Sequence, residues 1–156
     1  HLDIKVKATV RKSKDDFNDL FGMDMSLCSL DTETMVLEYA GAFNPLWVYN
    51  GKEINETRSE RYPVGHYFFE PEEKVFKNSK IQLVSGNRIY LFSDGYQDQF
   101  GGEKGGKFLK AQLKEMILST AKLSLEEQRK ALEVSFDEWK GNYEQIDDVM
   151  ILCVEV

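Results

Sequence analysis

Apolar and polar positions along the chain change period several times, and the changes predict the elements. At the start the pattern is ambiguous. Ile4, Val6, Ala8 and Val10 alternate with polar residues as in a strand, whereas Leu2, Val6 and Val10 recur every four residues as on one face of a helix. An acidic loop over 15–21 follows. Gly22 then opens the apolar run Met23 to Leu30, which a short polar turn at 31–34 joins to a second run, Met35 to Ala40; the pair reads as a hairpin. Leu46–Tyr49 forms a short strand that stops at the turn dipeptide Asn50-Gly51. Val75 to Val84 mixes polar and apolar residues like an edge or half-buried strand. Ile89-Tyr90-Leu91-Phe92 is continuously apolar and suits a central one.

Beyond the glycine-rich segment Gly101–Gly106, expected to be a flexible loop, the period becomes helical. Phe108, Leu109, Leu113, Met116, Ile117 and Leu118 supply one apolar face. Ser124-Leu125-Glu126-Glu127 is a capping box that starts a second helix, with Leu132, Phe136 and Trp139 on its apolar face and Gly141 at its end. Val149 to Val154 closes the chain as an apolar strand. No internal repeat interrupts this order. The reading is one α+β domain, strands first, with a helix pair before the last strand.

Composition narrows the functional class. With 156 residues, 42% hydrophobic and 30% charged, and only three prolines, the chain is neither disordered nor fibrous. Its net charge of −7, from 20 basic and 27 acidic residues, argues against nucleic acid or an anionic membrane as principal partner. The charge is uneven. Residues 1–14 carry a local +4, whereas the stretch from Asp15 to Gly51 has seven acids and no Lys or Arg. No apolar run reaches membrane length. Cys28 and Cys153 lie in apolar runs without metal-ligand spacing and read as buried free thiols of a reducing cytoplasm rather than a disulfide.

Carboxylates bracket the two most apolar strands. Asp94 follows Ile89–Ser93, and Asp147 and Asp148 precede Val149–Val154. If the two are central antiparallel neighbours, these three carboxylates converge at one sheet edge. Like charges gathered there need a cation or hydrogen bonds, and a hard divalent ion suits such oxygen donors.

The run Ser93-Asp94-Gly95-Tyr96-Gln97-Asp98-Gln99-Phe100-Gly101-Gly102 resembles the signature of SpoIIE-like phosphatases, named for stage II sporulation protein E, the bacterial branch of the metal-dependent PPM-type Ser/Thr phosphatases. Further matches fall in the family's order: Gly22-Met23-Asp24, Ala40-Gly41-Ala42 with Asn44-Pro45, Pro63-Val64-Gly65, Glu127-Gln128, Trp139-Lys140-Gly141 and Gln145-Ile146-Asp147-Asp148. The resemblance covers nearly the whole chain. It implies two stacked antiparallel sheets flanked by helices, with a dinuclear Mn²⁺ or Mg²⁺ site at one edge. It also implies an initial helix, with Leu2, Val6 and Val10 as its buried stripe.

By the same resemblance Asp94 and Asp147 are metal ligands, Asp148 the lesser candidate, and a water activated by two metals attacks phosphoserine or phosphothreonine in line without a phosphoenzyme. The Gly101–Gly106 loop would be a mobile flap near the site. The implied partner is a phosphorylated regulatory protein such as an anti-anti-sigma factor, under the control of an upstream sensor or receiver module; a homodimer is also compatible.

The chain departs from the pattern in places. The first metal motif, Asp-x-x-Gly-His-Gly, is absent, and neither His1 nor His66 stands in such a context. The sequence is therefore expected to be the C-terminal part of a phosphatase domain, weak in metal binding and activity alone. Phe21 replaces an aspartate, and Phe43 stands where the family often has Asn. Asp24 is expected to be structural and Asp98 to belong to the flap or a helix start. The rival reading is a non-catalytic relative that binds a partner. A two-metal nuclease is disfavoured because the acidic chain offers no basic path for nucleic acid.

Overall fold

The structure, a computed structural model, describes residues 2–10, 22–65 and 74–156. The chain divides into two compact units, residues 1–46 with 57–83 and residues 47–56 with 84–156. The sequence-stretch over 15–21 expected to be an acidic loop, together with Phe21, His1 and His66, lies outside the described residues.

In the first unit the opening segment is a helix, α1 (Leu2–Val10). Its expected buried stripe needs correction, because Leu2 is 44% exposed and Val6 only half-buried; the side chain of Val10 lies outside the described ones. A hydrogen bond anchors the helix instead: the backbone N–H of Gly65 donates to Asp3 Oδ1 at 2.7 Å, and Lys74 Nζ lies 3.6 Å from the same oxygen. Gly65 belongs to β6 (Val64–Gly65), which pairs antiparallel with β1 (Gly22–Met23).

The expected hairpin forms from β2 (Met25–Asp31) and β3 (Val36–Ala42), paired from Met25↔Ala42 to Asp31↔Val36. Asp31 Oδ1 closes its turn by accepting from the N–H groups of Glu33 and Thr34. β7 (Ser79–Gln82) adds the edge, in the order β2-β3-β7. Alternation along β3 buries Leu37 and Tyr39.

The second unit holds β4 (Leu46–Tyr49), β5 (Ile54–Thr57), β8 (Arg88–Phe92) and β11 (Ile151–Glu155), in the order β11-β8-β4-β5. The Asn50-Gly51 turn joins the first two, and Asn50 Oδ1 accepts from the backbone of Lys52 and Glu53. β8 is central, as its apolar run predicts. β11 was expected to be central too but lies at the end of its sheet, with Leu152 50% exposed. A run of Ile, Leu, Cys and Val shows that a strand can be buried on both faces; it carries no information about which neighbours pair with it.

Helices α2 (Gly95–Asp98), α3 (Lys110–Thr120) and α4 (Leu125–Lys140) complete the unit. The capping box of α4 is present: Glu127 N donates to Ser124 Oγ, and Ser124 N donates to Glu127 Oε2. Trp47, Tyr90, Phe92, Tyr96, Leu113, Ile117, Leu132 and Phe136 form one core. Each such side chain contributes about 1.5–3 kcal/mol by leaving water. Leu109 and Leu118, assigned by periodicity to the buried face of α3, are exposed instead.

Gln128 satisfies polar groups inside this core. Its Oε1 accepts from Tyr90 Oη at 2.9 Å, and its Nε2 donates to Thr120 Oγ1 at 3.0 Å and to the carbonyl of Ile117 at 3.1 Å. Both cysteines are free and half-buried, and burial raises their thiol pKa values. Among the described residues no helix is long and apolar enough to cross a membrane.

Candidate metal and phosphate site

The site is set by how β8 meets β11. They pair antiparallel from Ile151↔Phe92 to Glu155↔Arg88, so the C-terminal end of β8 lies beside the N-terminal start of β11. Beyond the last ladder pair the two chains stay joined. Ser93 N donates to the carbonyl of Met150 at 3.0 Å, and Ser93 Oγ donates to the carbonyl of Asp148 at 2.7 Å. The same oxygen accepts from Met150 N at 2.9 Å.

This junction brings Asp94 and the Asp147-Asp148 pair to one sheet edge, as the strand order requires. Gly95 makes the approach possible. A Cβ added there would overlap the carbonyl oxygen of Asp148 and stand 2.9 Å from its carbon.

The carboxylates differ in setting. Asp94 is half-buried at the start of α2 and makes no side-chain capping bond. Asp147 and Asp148 are exposed, and Asp147 Oδ1 accepts from Asp148 N at 2.7 Å. None of the ion pairs among the described residues involves these three. Carboxylate oxygens that no ion pair among the described residues neutralises fit a hard divalent cation in chemistry. They supply only part of a ligand set, since among the described residues no three His, Cys, Asp or Glu side chains are arranged to hold a metal.

Asp98 has a different task. It ends α2 and pairs with Lys107 at 3.2 Å. Lys107 belongs to β10 (Gly106–Lys107), which pairs with β9 (Phe100–Gly101). The glycine-rich segment, expected to be a flexible loop, is therefore a tight hairpin, and α4 holds it. Gly102 N donates to the carbonyl of Trp139 at 2.8 Å, and Trp139 Nε1 donates to the carbonyl of Gln99 at 3.0 Å.

Gln99 itself is fully buried, with Nε2 bonded to the carbonyls of Phe100 and Glu144. Sequence reasoning placed Ser93 and Gln99 in the signature but gave neither a role. The Ser93 partners, and Glu144 for Gln99, lie far away along the chain, and local spacing carries no sign of them.

Residues 3–156 match the family model for stage II sporulation protein E (SpoIIE). The chain belongs to the SpoIIE family. Solved structures agree with this membership. The SiaA-PP2C domain of Pseudomonas aeruginosa is 27% identical, with a TM-score of 0.82 over 99% of this chain. The phosphatase domain of the cell fate determinant SpoIIE from Bacillus subtilis, presoaked with Mn, is 13% identical, with a TM-score of 0.62 over 99% of the chain. The RsbU and RsbW domains of a Mycobacterium tuberculosis protein are 16% identical, with a TM-score of 0.66 over 89% of the chain. The last two, at such low identity, speak for the SpoIIE family's α+β phosphatase fold alone.

The chain spans 56% of the SiaA domain, 73% of the B. subtilis domain and 37% of the M. tuberculosis chain. No protein of curated function matches it by sequence.

Proposed function

We propose that the chain is a phosphatase domain that hydrolyses phosphoserine or phosphothreonine on a bacterial regulatory protein, with Mn²⁺ or Mg²⁺ as cofactor. The observation that supports it most is the β8–β11 junction, which brings the strand ends that carry Asp94 and Asp147-Asp148 to one sheet edge. Asp94 and Asp147 would hold the cation, with Asp148 as the lesser candidate. A divalent ion supplies two things when bound: a water of lowered pKa and charge compensation for phosphoryl oxygens.

The chain's own residues do the positioning. Gly95 lets the aspartate-bearing segments approach, and the hairpin over Phe100–Lys107 is fixed to the same segment through Asp98 and Gln99. The substrate reading extends to a phosphorylated regulator such as an anti-anti-sigma factor. Control by an upstream sensor or receiver module, and a cytoplasmic setting, belong to the same proposal.

A second reading is a non-catalytic relative that binds its partner without turnover. The lack of a three-ligand cluster among the described residues favours it.

Mn²⁺-dependent release of phosphate from a phosphoserine protein separates the two. The first reading expects release that Asp94→Asn lowers by about 100-fold or more, roughly 2.7 kcal/mol of barrier. Calorimetry should show Mn²⁺ binding lost in the same variant. Because the first metal motif is absent from these residues, the deciding comparison is with a protein extended upstream to carry it: no turnover and no Mn²⁺ binding there either would leave the non-catalytic reading in place.

A further inference from the structure

We propose that Ser93 is a positioning residue, whose hydroxyl sets the spacing between the two aspartate-bearing strand ends; this rests on the phosphatase reading above. The regular β8–β11 ladder stops at Ile151↔Phe92. One residue further, the Ser93 side chain takes over the joining. Its oxygen donates to the Asp148 carbonyl at 2.7 Å and accepts from the Met150 amide at 2.9 Å, while the Ser93 amide donates to the Met150 carbonyl at 3.0 Å.

A hydroxyl carries one donor and two acceptor lone pairs, so a single oxygen can hold a carbonyl and an amide two residues apart. Alanine or valine can do neither. Threonine can do both.

The consequence is local. Asp94 follows Ser93 directly, and Asp147 precedes Asp148, so one side-chain oxygen ties the backbones that carry the carboxylates. Ser93 has no carboxylate to offer a metal. It acts through the aspartates. Without the hydroxyl, water can solvate the Asp148 carbonyl and the Met150 amide at this exposed end, so the fold survives while the spacing loosens. Losing a group that orients metal ligands costs about 10- to 100-fold in metal affinity.

The test is Mn²⁺ titration by calorimetry, with thermal melting of the metal-free protein, on wild type, Ser93→Ala, Ser93→Thr and Asp94→Asn. Ser93→Ala is expected to weaken Mn²⁺ binding by about 10- to 100-fold with little change in melting temperature, and Ser93→Thr to restore it. Unchanged affinity in Ser93→Ala, alongside loss in Asp94→Asn, would overturn the role of Ser93 and leave the phosphatase reading standing. A large drop in melting temperature that Ser93→Thr does not repair would make Ser93 merely structural and also overturn it. No Mn²⁺ binding by wild type, or binding that Asp94→Asn leaves intact, would sink both.

Discussion

Phe43 sits at φ 59°, in the left-handed region where a Cβ crowds the following carbonyl and only Gly, Asn and Asp are at ease. The SpoIIE-like pattern often has Asn there, and the backbone explains why. Phe43→Asn is expected to stabilise the protein by about 1 kcal/mol, read as a higher urea midpoint with an unchanged slope. Gly95 works in the opposite sense. Gly95→Ala drives a methyl into the Asp148 backbone, and it should cost about 1–3 kcal/mol and weaken Mn²⁺ binding in the same variant. A silent Gly95→Ala would mean that the two segments are not in contact.

Asp94 and the Asp147-Asp148 pair were legible as neighbours on the condition that their two strands pair antiparallel, as β8 and β11 do, whereas the choice of Asp94 and Asp147 as ligands came from the family resemblance. Ser93 was not. Its partners lie 55 and 57 residues along the chain, and a serine after an apolar run looks the same with or without them.

Elements were easiest to read where local chemistry decides them. The α4 start is such a case: the capping box satisfies backbone donors that no other part of the fold need supply. Ser124→Ala should cost about 1 kcal/mol in urea unfolding, whereas exchanges on the exposed face of α4 should cost little. The first segment could not be decided from period, because its apolar residues serve both templates. Its helix is held at Asp3 by a residue 62 positions away.

The 101–106 segment shows a different failure. Glycine was read as freedom, but at Gly101 it serves close approach: a Cβ would stand 2.6 Å from the Trp139 carbonyl carbon. The hairpin needs glycine because α4 leaves room for nothing larger.

At the scale of the whole molecule, two paired carboxylates among the described residues, Asp3 and Glu56, shape the response to pH. Burial works to raise the pKa of Asp3, but the Gly65 amide, Lys74 and Lys7 outweigh it and hold the group below its ordinary 3.8. Burial likewise opposes the depression at Glu56, and Lys110 and the Trp47 indole outweigh it, keeping the group below 4.5. A carboxylate with a depressed folded-state pKa stabilises the fold at pH above its unfolded value, and that contribution is lost as pH falls through the folded one. Stability should therefore be flat near neutrality and fall below about pH 4.5, measured by urea unfolding across a pH series. Glu56→Gln should make the fall shallower. An equal slope in both proteins would exclude Glu56 as a contributor.

The fate of the two tryptophans also provides optical reporters that nothing need be added to obtain. Trp47 is fully buried and bonded through Nε1 to Glu56 at 2.8 Å, while Trp139 is half-buried with its indole on the Gln99 carbonyl. They are the chain's only two. Emission from Trp47 follows the integrity of the core, and emission from Trp139 follows the seating of the hairpin. Replacing either one by Phe isolates the other, so loosening of the hairpin and loss of the core can be followed separately by the emission of two single-tryptophan variants.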